Sequence, residues 1–200
     1  VRHGLTLAIP FLIMGSFALL LTNFPLGVYQ DFIRTWMNGA ASAILETLYQ
    51  ISLGSLALVL TVTISISYGH LTETDQLFLY PIVAVCSYLA FCGGIENQSD
   101  YIFNAEWVFT AMVITLLSCV LFHKILKLGH RFERLHTTGA DYLFNISIQC
   151  LIPVILVSLF FAVTGYVLRV AWDSSNITNF GSYLFLKLFD KISGNLFGIL

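Results

Sequence analysis

Between Arg2 and Asp31 the chain carries no Asp, Glu, Lys or Arg, and the run LTLAIPFLIMGSFALLL inside that window is apolar at nearly every position. An amphipathic surface helix would interrupt such a run with polar residues every three or four positions. Eighteen or more apolar residues, at about 1.5 Å rise each, are enough to cross a hydrocarbon core of about 30 Å. The pattern therefore predicts a membrane-spanning helix over residues 5–22. Pro10 and Gly15 lie within it, which points to a helix packed in a bundle, where neighbours re-satisfy a freed carbonyl and small residues permit close approach. A secretory signal fits less well, because the run is too long and no small-x-small cleavage pattern precedes another charged region.

Beyond Phe24-Pro25 the pattern changes to steps of three and four: Tyr29, Phe32, Ile33, Trp36, Met37, Ala40, Ile44 and Leu48 are apolar, with Asp31, Thr35, Asn38, Ser42 and Glu46 mostly opposite. An amphipathic helix over 28–46 follows, lying in the interface with Trp36 at headgroup depth, or connecting as a solvent-facing helix. Residues 47–69 are again uncharged and predict one uninterrupted span over 50–69, with Ser52, Gly54, Ser55, Ser65 and Ser67 available for packing. The polar stretch 70–75 is a turn in which Thr72 or Thr74 is placed to cap the next helix. A third span covers 77–95, with Pro81 in its first turns, where it costs least, and Gly93-Gly94 at its end.

The loop 96–106 holds three acids and no base. A fourth span, 107–123, runs into HKILKLGHRFERLH, in which Lys124, Lys127, Arg131 and Arg134 form a basic stripe beside Ile125, Leu128, Phe132 and Leu135. Such a half-buried basic helix suits an anionic lipid surface, at about 1 kcal/mol per base, or a protein or phosphorylated partner. A fifth span covers 143–168 around Pro153, and a second interfacial segment covers 179–191, bounded by Lys187, Asp190 and Lys191. The expectation is an all-α integral membrane protein: a polytopic transmembrane helix bundle with interfacial amphipathic helices, residues 1–200 forming a single membrane domain. Four of the nine Lys and Arg follow the fourth span, so the excess of basic residues on cytoplasmic loops places that loop and the N-terminus in the cytoplasm.

Composition sharpens this. The chain is 58% hydrophobic and 10% charged with net charge -2 and mean hydropathy +0.85, against about 25% charged in soluble domains. A basic footprint for nucleic acid is absent. Cys86, Cys92, Cys119 and Cys150 sit in apolar runs without C-x-x-C spacing and read as small buried hydrophobes. Val1 is not Met and the chain stops inside an apolar run at Leu200, which leads us to expect a piece of a longer protein.

Chemistry is sparse. No span carries a carboxylate at its middle, and His3, His70, His123, His130 and His136 fall at span ends or in loops, as interfacial polar groups. The N-x-S/T triplets at Asn97, Asn145 and Asn176 are weak motifs. No catalytic residue, metal ligand or cofactor site is identified, and the polar residues nearest the span ends are Asn104, Glu106, Asp141 and Gln149.

Short stretches do resemble a known family. Arg2-His3-Gly4, the segment from Ala8 to Ser16 and Phe24-Pro25 resemble the first membrane helix of the enzyme IIC components of the sugar phosphotransferase system, of the lactose, cellobiose and diacetylchitobiose type. Leu53 to Leu58 with Ser67-Tyr68, then Phe103 to Ala111, then Ser147 with Leu151-Ile152-Pro153, are similar to its second, fourth and fifth helices. The likeness covers nearly all of this chain and the N-terminal half of the family's domain. It implies a bacterial inner-membrane sugar permease that takes up a disaccharide coupled to its phosphorylation by a phosphocysteine-bearing enzyme IIB partner. In this family the N-terminal helices build a homodimer scaffold, and the sugar-binding residues belong to the other half. One departure stands out: ahead of the fifth helix the family has a Pro-rich turn, whereas here residues 136–142 read HTTGADY, with only Gly139 in common. Enzyme IIC-like modules also occur as membrane sensors or anchors of signalling proteins with a cytoplasmic domain that makes or degrades cyclic di-GMP, and that alternative stays open.

Overall fold

The charge-free runs emerge as helices in a computed structural model that describes residues 2–35, 40–72, 77–93, 103–128 and 142–171. Among the described residues the chain is helical without strands: α1 (Arg2–Thr22), α2 (Gly27–Thr35), α3 (Ala40–Ser52), α4 (Leu56–Leu71), α5 (Leu79–Cys92), α6 (Val108–Leu128) and α7 (Tyr142–Ala171), with a single 3-10 turn at Ala105–Trp107. Trp36, most of the acidic loop, Arg131, Arg134, His130, His136, Asp141, Asn97, Asn176 and the segment 179–191 lie outside the described residues.

Among the described residues three helices are long and apolar enough to cross a membrane: α1, α6 and the stretch Cys150–Val170 within α7. The expected span at 50–69 differs, because α3 ends at Ser52 and α4 begins at Leu56, the two meeting at 44°; taken together they make a fourth candidate. The break has a local cause and a tertiary one. The hydroxyls of Ser52 and Ser55 donate to their own helix at Leu48 O and Ile51 O, each at 2.6 Å, a back-bonding that bends helices. Gly54 adds its usual helix penalty of about 1 kcal/mol. The Ala57 N–H then donates to Phe103 O at 3.1 Å, so a distant carbonyl takes a donor that a continuous helix would have used. Where the third span was expected, over 77–95, lies α5, a shorter apolar helix whose 14 residues reach about 21 Å.

Directions follow from close approaches. Gly4 lies against the Ile64 backbone and Gly15 against Ser52 and Leu53, so α1 runs antiparallel to α3–α4. The Ala57 to Phe103 bond and the cluster of Leu60 and Ile64 with Val108, Met112 and Leu116 make α4 and α6 parallel. Gly69 admits Leu77 and Tyr80 beside it, which turns α5 back along α4. Gly165 lies on the Phe91 backbone and Arg169 reaches Cys92 O, so α5 and α7 run the same way. Arg2, His3, His70, Lys124 and Lys127 therefore share one end of the bundle, and Asn104 and Arg169 mark the other.

The interior combines large apolar side chains, Trp107, Tyr80, Tyr88 and Phe122 among them, with small and hydroxylated ones, and the outer surface is apolar as well. Small and hydroxylated side chains face inward: Gly4, Ala8, Gly15 and Ala18 on α1, Thr61, Ser65 and Ser67 on α4, Ser87 on α5, and Thr110, Thr115 and Ser118 on α6. Other large apolar side chains face outward, such as Ile13 and Phe17 on α1, both 61% exposed, and Tyr166 and Val170 on α7, at 66% and 68%. Within the chain Gly15 lies against α3 and Gly54 sits in the α3–α4 turn.

Candidate functional site

At the basic end the sequence builds a polar tie across three helices. Gly69 has no side chain, and a Cβ there would come within 3.2 Å of the Tyr80 ring, so α5 can tuck Tyr80 fully inside. Its ring is held edge-on by Phe122 at 5.3 Å between centroids and tilted against Tyr68 at 5.8 Å. The Tyr80 hydroxyl lies 3.0 Å from His123 Nδ1. A phenol donating to Nδ1 requires the neutral ring to carry its proton on Nε2. Thr72 Oγ1 stands 3.4 Å from the same hydroxyl, but its hydrogen has a better acceptor in Gly69 O at 2.9 Å. Thr72 thus closes the C-terminus of α4, its N–H also donating to Gly69 O at 3.2 Å; the expectation that it caps the following helix is corrected. A residue just past a helix meets orphan carbonyls first, and a hydroxyl donor satisfies them.

At the opposite end Gly93 adopts φ 87° and returns its N–H to Ala90 O at 3.2 Å, the left-handed closure that glycine permits. Gly93-Gly94 was expected to stop this helix, and Gly93 does. The Arg169 guanidinium comes over the same terminus, with Nη1 at 3.4 Å from Cys92 O and Nε donating to Gly165 O at 3.1 Å. A cation at a helix C-terminus is favourable both as donor and against the dipole.

Between these ends the interior hydroxyls divide into two groups. Thr61, Ser65 and Ser118 donate to carbonyls three or four residues back in their own helices, at 2.9, 2.8 and 2.9 Å. Ser87, Thr110, Thr115 and Ser158 are buried without any partner, as is the Trp107 indole N–H. Two helical turns from the Tyr80–Phe122 contact, along antiparallel α5 and α6, bring Ser87 opposite Thr115. These groups can donate to water or a neutral polar solute, but they supply neither a base nor a charge.

Asn104 precedes the 3-10 turn and its carbonyl accepts the Trp107 N–H at 3.1 Å. Glu106 lies in that turn and Gln149 and Asn145 in α7, while Asp141 lies outside the described residues. Cys92, Cys119 and Cys150 are buried free thiols, as expected, whereas Cys86 is exposed. Of the basic stripe, Lys124 and Lys127 project from the last turns of α6, with Ile125 half-buried and Leu128 exposed. Among the described residues no three His, Cys, Asp or Glu side chains converge as a metal site. The Tyr80–His123 tie left only a faint sequence signal, a histidine closing a long apolar run. No protein-family model, no curated protein and no solved structure matches this chain.

Proposed function

We propose that this chain is a membrane-embedded helical module, the scaffold-building part of a disaccharide permease of the enzyme IIC kind. The membrane reading is carried by the outer surface: bulky apolar side chains cover α1 and α7 outwardly, while α1 meets its neighbours through Gly4, Ala8, Gly15 and Ala18. In water such surfaces would mark aggregation or binding patches; in lipid they need no partner, and helix association proceeds through small residues. The transport reading rests on the sequence resemblance around residues 2–25, 53–58, 103–111 and 147–153. Gathering Arg2, Lys124 and Lys127 at one end supports a cytoplasmic N-terminus. Pairing of two copies and docking of a phosphocysteine-bearing partner belong to the same proposal and rest on resemblance alone. The Pro-free stretch 136–142 favours, as a second reading, a sensor or anchor for a cyclic di-GMP enzyme.

Single cysteines in a Cys-free background test the membrane reading. A membrane-impermeant maleimide should label Asn104→Cys from outside in intact cells and Lys127→Cys only after the cytoplasmic face is opened; the reverse overturns the orientation, and equal labelling overturns insertion. Phosphoenolpyruvate-dependent uptake of labelled cellobiose or diacetylchitobiose by cells producing the intact protein tests transport. Changed cyclic di-GMP without uptake selects the second reading.

A further inference from the structure

An open groove of about 690 Å³ runs between α1 and α4, lined by Leu5, Ile9, Leu12, Leu56 and Leu60, with Arg2 at its mouth. We propose that it holds one acyl chain of an anionic phospholipid, whose headgroup phosphate is taken by Arg2. The proposal rests on the membrane reading and is independent of the transport reading.

The groove is long enough to take part of one acyl chain. Arg2, Leu5, Ile9 and Leu12 fall at steps of three and four, so they form a single stripe along α1, next to the small-residue stripe that packs on α4. From Arg2 to Leu12 the helix advances about 15 Å. Its inner limit is structural, since Leu56 is the first residue of α4 and just beyond it Gly15 closes onto Ser52 and Leu53. Its back wall is closed where Gly4 meets the Ile64 backbone. Thr6, the polar residue in the lining, donates its hydroxyl to Arg2 O at 3.1 Å, which leaves the wall without an unpaired donor.

Charge selects the headgroup. Arg2 is exposed at the end that also carries Lys124 and Lys127. The acids among the described residues are Asp31 on α2, Glu46 on α3 and Glu106 in the 3-10 turn, none of them in the first turns of α1 or the last turns of α4 and α6. No described carboxylate is therefore placed to neutralise Arg2, and a phosphate diester at headgroup depth is. A chain bound there is held by two helices rather than by one convex surface, which distinguishes it from bulk lipid.

Native mass spectrometry of the whole chain in detergent, supplied with equal palmitoyl-oleoyl phosphatidylglycerol and phosphatidylcholine, tests this. One retained lipid is expected, with phosphatidylglycerol favoured about fivefold, the selectivity of one basic side chain near the surface. Arg2→Gln should remove the preference and keep a lipid. Ile9→Trp, at a position 46% exposed, should fill the groove and abolish retention of both lipids; Leu5→Trp serves the same purpose if the first variant is not monodisperse. The Lys124→Gln, Lys127→Gln double variant should behave as wild type. No retained lipid, retention that survives a monodisperse groove-filling variant, no headgroup preference, or a preference lost with Lys124 and Lys127 instead of Arg2 would each overturn the assignment. The maleimide result above would stand in any of these cases.

Discussion

Replacing Gly165 by Ala adds one methyl group at the tightest helix crossing in the bundle. Its Cβ would stand 2.2 Å from Phe91 O and 2.9 Å from both Phe91 C and Cα, where even a close C–H···O contact needs about 3.3 Å. The obstacle is the last turn of α5, which cannot rotate away as a side chain would; that turn is closed by Gly93 and covered by Arg169. Helices α5 and α7 must therefore separate by about 1 Å, enough to forfeit a quarter to a half of the dispersion energy of each contacting pair. The Arg169 to Cys92 O bond, already 3.4 Å, would be lost with them. Overpacking a core costs about 1–3 kcal/mol, and a backbone obstacle puts this case near the upper limit, about a hundredfold in the folded-to-unfolded ratio at about 1.4 kcal/mol per tenfold. Gly27→Ala is the control, since nothing lies within 4 Å of a Cβ there. Thermal unfolding of both variants in the same detergent, followed by loss of the monodisperse sizing peak, should show a large drop for Gly165→Ala and none for Gly27→Ala. Equal midpoints for the two would refute the claim that α5 and α7 meet backbone to backbone.

The remaining predictions concern polar groups. Ser87→Ala should leave stability unchanged or raise it by about 1 kcal/mol, because the hydroxyl lost is buried without a partner and an unsatisfied group costs about 1–3 kcal/mol; a clear loss on thermal unfolding would mean that this hydroxyl is bonded. Tyr80→Phe should lower stability by about 0.5–1.5 kcal/mol by removing the bond to His123, and in a His123→Ala background it should cost measurably less; equal costs in the two backgrounds would show that the bond contributes nothing. Residues 1–200 reconstituted in lipid should show no saturable heat of binding with cellobiose or diacetylchitobiose, because a sugar site needs several convergent polar groups on one pocket wall and the interior hydroxyls are packed between helices. A saturable isotherm would return attention to Asn104, Glu106, Asp141 and Gln149.

Local chemistry by itself determined the helices and the side chains that would sit inside them. Uncharged runs marked α1, α6 and α7 within a few residues, Gly93 marked the end of α5, and the apolar setting of Cys92, Cys119 and Cys150 marked them as buried. Each of these follows from composition within one segment, since a run without charges has one favourable solvent and a glycine has one special conformation. What needed the tertiary structure were the features that depend on a second segment. The α3–α4 break draws on Phe103 O as a distant acceptor for Ala57, so the uniform hydropathy of residues 47–69 could not announce it. Thr72 serves the helix before it, its hydroxyl donating to Gly69 O at 2.9 Å. The Tyr80–His123 bond joins residues 43 positions apart. Periodicity reports which face of a helix is polar or small, but in a chain that is apolar all round it carries no information on which neighbour that face meets; only the paths of the other helices decide that.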